Sequence, residues 1–319
     1  MTRLSELSSR AVPALVSSWV TSPYASMEPL DAIEYASTAC HICPNRVWEI
    51  GSRFDDWETQ LPRLLLQYGE YIGRAIDAQD HMACTVEFCE RSALNFTNVV
   101  QRHEPLYCVE PCYRLQGLFD ERLLVKELSF TERRPTAWAL DGLSIVSPSQ
   151  PFMAISHVWS DGTGMGGWPA GEVNACLFRY FEQIARSFQC EGIWWDAVCL
   201  PSAKDARSAA VNNMDINYQY AAVTLVHDCF LRRLPWIEDP DAACFALIMS
   251  PWFSRGWTAL ELAKSPCVKI VFADDMIVDL DADILDVVKD GNPAAKSIRA
   301  LRRPIEQLDD LLDVLGSRH

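Results

Sequence analysis

Three features of the chain predict an α/β fold, a parallel sheet with helices on both faces, preceded by a mainly helical, cysteine-rich domain. After residue 150 or so, short apolar segments alternate with amphipathic helical ones, the pattern of strands covered by helices. The apolar segments are nearly continuous, as strands buried on both faces must be. Six of the 12 cysteines fall within residues 40–112, ahead of that alternation, while Cys190, Cys199, Cys229, Cys244 and Cys267 sit singly among apolar neighbours. That asymmetry divides the chain into a helical domain at 1–135, a linker at 136–150 within a stretch, 131–151, rich in Pro, Ser, Thr and Arg, and an α/β domain with a C-terminal helical extension at 151–319.

The elements follow in order. Leu4, Leu7, Val12, Leu15, Val16, Trp19 and Val20 carry a weak helical period over residues 4–20, which Pro23 and Pro29 break. Cys40-His41-Ile42-Cys43-Pro44 reads as a tight knuckle. Leu61, Leu64, Leu65, Tyr68, Ile72 and Ile76 predict a helix over 57–78. Further helices are expected over 87–100 and 115–127. Residues 152–158 form a strand ending in Ser156-His157-Val158-Trp159, and a glycine-rich loop follows at 161–167. A helix over 172–188 leads to a strand over 192–200 that carries Asp196. A helix over 203–220 and a strand over 221–226 end at His227-Asp228. A helix over 241–249, another after Pro251, a strand over 268–272 and closing helices over 283–315 complete the chain. Ligands of such sheets bind beyond the carboxyl ends of the strands, and polar residues collect at those ends here.

Composition narrows the function. The chain has 319 residues, 49% of them hydrophobic and 22% charged, with a net charge of −15. That charge argues against nucleic acid or an anionic membrane as partner. No apolar run is long enough to span a bilayer, and residues 1–10 are too polar for a secretory signal. A soluble, cytoplasmic protein is expected, so the cysteines should serve as thiols or metal ligands before disulfides.

Two groups of residues suggest chemistry. Cys40-x-x-Cys43 and His81-x-x-Cys84 offer four soft ligands in two pairs, with Cys89, His103, Cys108 and Cys112 in reserve. Structural zinc favours four-coordinate Cys/His sites of this kind, here through Cys40, Cys43, Cys84 and either His81 or Cys89. The alternative is a set of reduced, buried thiols. The acidic run Asp279, Asp281, Asp283 lacks the glycine and distal Glu of a calcium loop and reads as a solvated turn. The second group centres on Glu261, an acid in an apolar setting four residues after Trp257, which places both on one helix face. Such a carboxylate either pairs with Arg255 or Lys264 or does chemistry. Asp196 is either a ligand contact or a cap on local N–H groups. Gly162-Thr163-Gly164-Met165-Gly166-Gly167 matches the dinucleotide spacing, but Trp168-Pro169 delays the helix that should follow. It reads equally as a loop over a nucleotide and as a surface loop.

Three ordered blocks carry a family resemblance: Ala154-Ile155-Ser156-His157-Val158-Trp159-Ser160-Asp161-Gly162, Gly192-Ile193-Trp194-Trp195-Asp196-Ala197-Val198-Cys199, and Pro251-Trp252-Phe253-Ser254-Arg255-Gly256-Trp257-Thr258-Ala259-Leu260-Glu261. Together they resemble the HET (heterokaryon incompatibility) domain of fungi, over residues 152–272. HET domains are in turn similar to TIR domains, and Trp257-Thr258-Ala259-Leu260-Glu261 resembles the TIR segment that ends in the catalytic glutamate of an NAD glycohydrolase. Many HET members have Gln where this chain has Leu260.

The resemblance implies a flavodoxin-like, TIR-like sheet and a role in non-self recognition, innate immunity and regulated, programmed cell death. It implies cleavage of the nicotinamide–ribose bond of NAD, with self-association on activation. Glu261 would then stabilise the cationic ribose in the transition state, with Trp257 packed beneath it. Ser156, His157, Trp159, Asp161, Gly162, Asp196 and Arg255 would border the nucleotide. The rival expectation is a non-catalytic signalling module that acts by oligomerisation, with Glu261 holding the fold.

Overall fold

Alternating strands and helices do build an α/β fold, in a computed structural model that describes residues 27–77, 80–90, 99–109, 111–164 and 172–302. The helix expected over 4–20 lies outside the described residues, as do residues 91–98, the end of the glycine loop and the chain beyond 302. The N-terminal part holds α1 (Pro29–Cys40), α2 (Pro44–Gly51) and α3 (Trp57–Gly73). Pro29 opens α1. It stands at the first position of α1, where its missing N–H costs nothing. The chain continues through β1 (Arg114–Leu115), α4 (Glu121–Leu128), β2 (Trp138–Ala139), β3 (Phe152–His157), β4 (Val173–Asn174), α5 (Ala175–Ser187), β5 (Gly192–Trp194) and α6 (Asp196–Cys199). After these come α7 (Lys204–Asn212), α8 (Met214–Tyr220), β6 (Val223–His227), α9 (Pro240–Met249), α10 (Gly256–Lys264), β7 (Val268–Val271), β8 (Ile277–Asp279) and α11 (Pro293–Leu301).

The main sheet has six strands in the order β2-β5-β3-β6-β7-β8. The central pairs β5–β3, β3–β6 and β6–β7 are parallel, as expected. Both edges depart from a wholly parallel sheet, since β2 runs antiparallel to β5 and β8 antiparallel to β7. The departure at β8 is forced by chain length. Only residues 272–276 separate it from β7, too few for a crossover helix, so the strand must turn back. β2 lies in residues 136–150, where a linker was expected. Its Trp138 ring is buried, and the indole N–H donates to the Val198 carbonyl at 2.8 Å.

Three predicted elements are shorter than their apolar patterns. The strand over 192–200 ends at Trp194, and Asp196 opens the helical turn α6 instead of closing a strand. The helix over 203–220 breaks at Asn213, whose amide donates to the Arg134 carbonyl at 2.6 Å. Leu115 is paired with Val173 in β1–β4, so the helix expected from 115 starts at Glu121.

The apolar interior lies on both faces of the sheet. Along β7 and just beyond it, Val268, Ile270 and Phe272 join one cluster and Val271 the other, the two-residue period of a strand covered on both sides. The first cluster contains α9, which is buried over its whole length from Ala242 to Met249. A helix apolar all round must be covered all round. On α9 the cover comes partly from α11 and partly from the N-terminal helices, whose Ile33, Leu61, Leu65 and Ile72 share its cluster. Arg46 of α2 also donates to the Met249 carbonyl at 2.9 Å, and Tyr71 of α3 to the Pro235 carbonyl at 3.0 Å. The helical N-terminal part is thus mounted on the sheet layer through α9.

Candidate functional site

Three of the four parallel strands, β3, β5 and β6, end at His157, Trp194 and His227, and a cleft of about 840 Å³ opens beyond those ends. That size lies in the range of small-molecule sites. Its floor is formed by the buried acid Glu261 of α10. The glutamate is 1% exposed, yet its carboxylate reaches the cleft. The Ser156 hydroxyl of β3 donates to Oε2. The Tyr218 hydroxyl of α8 and the Arg255 guanidinium both donate to Oε1 at 3.2 Å. Behind Ser156 the Trp252 indole N–H donates to its Oγ at 2.6 Å. The sequence left open whether Glu261 faces the pocket or Arg255. It does both, because Arg255 itself lines the cleft. Trp257, one turn earlier on the same face, is 48% exposed at the rim.

A second acid, Asp196, closes the adjacent wall. At the first position of α6 it accepts from His157 Nε2 at 2.6 Å and from the Trp159 indole at 2.5 Å. Burial opposes the charge of His157, but Asp196 outweighs it and holds the imidazole above its usual range. Burial likewise opposes the Asp196 charge, and His157, Trp159 and Arg255 together hold the carboxyl below its usual range. Both shifts favour the charged pair, imidazolium beside carboxylate. Ser156 and His157, adjacent on β3, serve opposite sides as a strand requires, one turned to Glu261 and the other to Asp196.

Asp161 and Gly162 shape the loop beside them. Asp161 borders the cleft and accepts from the backbone N–H groups of Thr163 at 2.9 Å and Cys229 at 3.1 Å. Gly162 sits at φ +81 with its would-be Cβ 2.7 Å from the Val100 carbonyl. Only glycine fits that turn, so its role there is conformational.

Beneath the loop lies a polar cluster that contains a neutral histidine. Arg232 donates to His227 Nε2 at 3.0 Å, so the ring proton must be on Nδ1, which faces Thr163 Oγ1 at 3.0 Å. Burial, then the positive charges of Arg232 and Arg102, hold this histidine well below its usual range. The unfolded chain takes up that proton below about pH 6.5 while the native state does not, so stability rises with pH through this window. The contribution is complete above about pH 6.5 and is lost on acidification, by up to about 2 kcal/mol at pH 5. His157, with its raised value, slopes the other way. In His227→Gln the stability difference between pH 7 and pH 5, measured by urea unfolding, should shrink by that amount. An unchanged slope would show that His227 is protonated in the native state.

The cysteine cluster forms, with one change of membership. The ligand atoms of Cys43, His81, Cys84 and Cys89 all lie within 4.8 Å of one another and could hold a metal ion. Cys40 is not among them. It ends α1 with its sulfur packed on α3, 3.0 Å from where a Cβ at Gly69 would stand. Cys43 instead caps α2, so the two cysteines of the pair serve different helix ends and point apart. His81 Nδ1 lies 3.3 Å from Cys84 Sγ and 3.5 Å from Cys89 Sγ. Glu90 closes the turn by accepting from the N–H groups of His81 at 2.7 Å and Ala83 at 3.2 Å. His81 and Cys89 also border the cleft.

Several cleft residues carried no sequence signal. Tyr218 sits on an unremarkable helix, and Arg46 and Arg233 reach the cleft from the N-terminal part and from the turn after β6. The Asp279, Asp281, Asp283 run is used internally. Asp279 pairs with Lys269 at 2.6 Å and Asp281 with Arg302 at 2.5 Å. Among the described residues no helix is long and apolar enough to cross a membrane. No protein-family model, curated protein or solved structure matches the chain.

Proposed function

We propose that the chain is a HET-type, TIR-like NAD glycohydrolase whose site is built around Glu261. The observation that carries this reading is a buried carboxylate, aligned by Ser156, Tyr218 and Arg255, on the floor of a cleft at the carboxyl ends of parallel strands. Numbered in chain order, the four parallel strands lie 2-1-3-4 across the sheet, which agrees with a flavodoxin-like arrangement.

In this reading the nicotinamide ribose lies against Glu261 and the base against Trp257. The C1′–N bond breaks with its electron pair passing to the nicotinamide ring, whose positive charge is thereby neutralised. The oxocarbenium ion left behind faces the fixed negative charge of Glu261. Water adds at C1′, which leaves ADP-ribose, nicotinamide and one proton. Arg46 and Arg233 supply positive charge along the cleft for the pyrophosphate. Activation by self-association belongs to the same reading, with the chain acting in the cytoplasm in non-self recognition. The test is incubation of the purified chain with NAD over a wide range of protein concentration, with nicotinamide followed by chromatography. No release at the highest concentration would overturn it.

A second reading has its own support. Glu261 is almost fully buried and both of its oxygens are engaged, as in a carboxylate that only holds a fold together. The chain would then be a signalling module acting by oligomerisation.

We further infer that the cluster of Cys43, His81, Cys84 and Cys89 holds structural zinc. A tetrahedral ion with Zn–S of about 2.3 Å and Zn–N of about 2.0 Å places its ligands about 3.5–3.8 Å apart, and the separations of 3.3 Å and 3.5 Å from His81 Nδ1 to the two sulfurs fall near that edge length. Four protein ligands leave no open position, so the role is structural. Cys43→Ser should lower bound zinc by one equivalent in metal analysis, whereas Cys40→Ser should not change it. Loss of metal from both Cys40→Ser and Cys43→Ser would restore the ligand set read from the Cys-x-x-Cys spacing.

A further inference from the structure

We propose that His103, Cys108, Cys112 and Cys176 form a second structural zinc site, which fastens residues 99–112 to the start of α5. The four ligand atoms lie within 4.8 Å of one another. His103 Nδ1 is 3.4 Å from Cys108 Sγ and 3.6 Å from Cys176 Sγ, again close to the edge of a zinc tetrahedron.

The arrangement repeats that of the first cluster. In each, three ligands come from one irregular loop, His-x4-Cys-x3-Cys here and His-x2-Cys-x4-Cys there. The fourth comes from a cysteine at the start of a helix, Cys176 in the first turn of α5 and Cys43 at the cap of α2. In each, one sulfur also accepts a backbone N–H at 3.3 Å, from Glu104 to Cys176 and from Glu90 to Cys84. Such N–H groups are the usual outer partners of a thiolate held by a metal.

The loop also needs a fastening. Val100, Leu106 and Val109 are each at least 70% exposed, and the regular structure within residues 99–109 is the single turn Pro105–Tyr107. A segment that buries so little apolar surface cannot offset the entropy of its own ordering. Yet it is tied closely to the fold. Asn174 donates to the carbonyls of Gln101 at 3.1 Å and Arg102 at 2.8 Å, and the Arg102 N–H donates to the Gly162 carbonyl at 2.8 Å. An ion at this cluster would supply the ordering that the loop's packing does not. It would also hold the Gly162 turn that carries Trp159 and Asp161 to the cleft.

The experiment is metal analysis of the full chain expressed with zinc supplementation, together with Cys84→Ser and Cys112→Ser. Two zinc ions per chain are expected in the wild type, one in each variant, with the remaining ion differing in its resistance to a chelator. One ion in the wild type, kept in Cys112→Ser and lost in Cys84→Ser, would overturn the site. Should Cys112→Ser aggregate, cobalt titration of the metal-free wild-type chain gives the same count. Thiolate-to-cobalt absorption saturating at two equivalents supports the site, and saturation at one overturns it. A mass two units low in the unreduced wild-type chain, mapped to a Cys108–Cys112 disulfide, would also overturn it.

Discussion

Glu261→Gln should lower nicotinamide release by at least about 100-fold while the chain stays folded, the loss expected when a preorganised electrostatic group is removed from a transition state. The substitution keeps the shape of the side chain. One amide oxygen still accepts from Tyr218 or Ser156, so part of the buried network survives. What disappears is the negative charge. Arg255, whose side chain is 21% exposed, loses its partner at 3.2 Å but still lies near Asp196, which shares in holding its guanidinium charged. The structural cost should therefore be about 1–3 kcal/mol, a drop of a few degrees in melting temperature. Rate and stability separate the two readings of this acid. A carboxylate that only holds the fold predicts a lower melting point with an unchanged rate at a temperature where the variant is folded. That outcome would remove Glu261 from the chemistry even if the wild type releases nicotinamide.

The parts of the molecule legible in the sequence are those where one local pattern determines the outcome. The runs around Ile155, Leu225 and Ile270 are continuous apolar stretches, and they became the central parallel strands. The spacing of Trp257 and Glu261 puts both on one face of α10, and in the structure both line the cleft. The floor of the cleft was not legible, because it is assembled from distant segments. Ser156 lies 105 residues from Glu261 and Tyr218 lies 43, and no helical or strand period relates them. Cys176 escaped for a similar reason. It opens an amphipathic helix far from the cysteines it joins, and it reads locally as one more core position. Cys40 misled in the opposite direction. Its spacing to Cys43 looks like a ligand pair, but a helix end intervenes and turns its sulfur inward. The edge strands β2 and β8 are two and three residues long, too short for any alternation to show.

Arg232→Met should destabilise the chain by about 3–5 kcal/mol, because it strands a buried carboxylate. Arg232 follows β6 and joins three segments that share no regular structure. Its guanidinium pairs with Glu104 at 2.7 Å and 3.3 Å, a two-point contact with a side chain only 3% exposed. It also reaches Asp275, in the turn between β7 and β8, at 3.0 Å, and lies 4.9 Å over the Tyr180 ring. Without it Glu104 keeps its burial and loses the cation that offsets that burial, and His227 loses its donor. Burial pairs of this kind cost most when one partner is removed and far less when both go. The double variant Glu104→Gln with Arg232→Met should therefore recover 1.5 kcal/mol or more, approximately, relative to the sum of the single variants. Urea unfolding of the wild type and three variants gives the coupling directly. Simple additivity would mean that Glu104 and Arg232 do not depend on each other. The same series bears on the histidine below the loop. With Arg232 gone, one of the charges that suppress His227 protonation is absent, so its value should rise toward normal and the loss of stability between pH 7 and pH 5 should become shallower. A steeper acid loss in Arg232→Met would contradict the neutral tautomer on which that network is drawn.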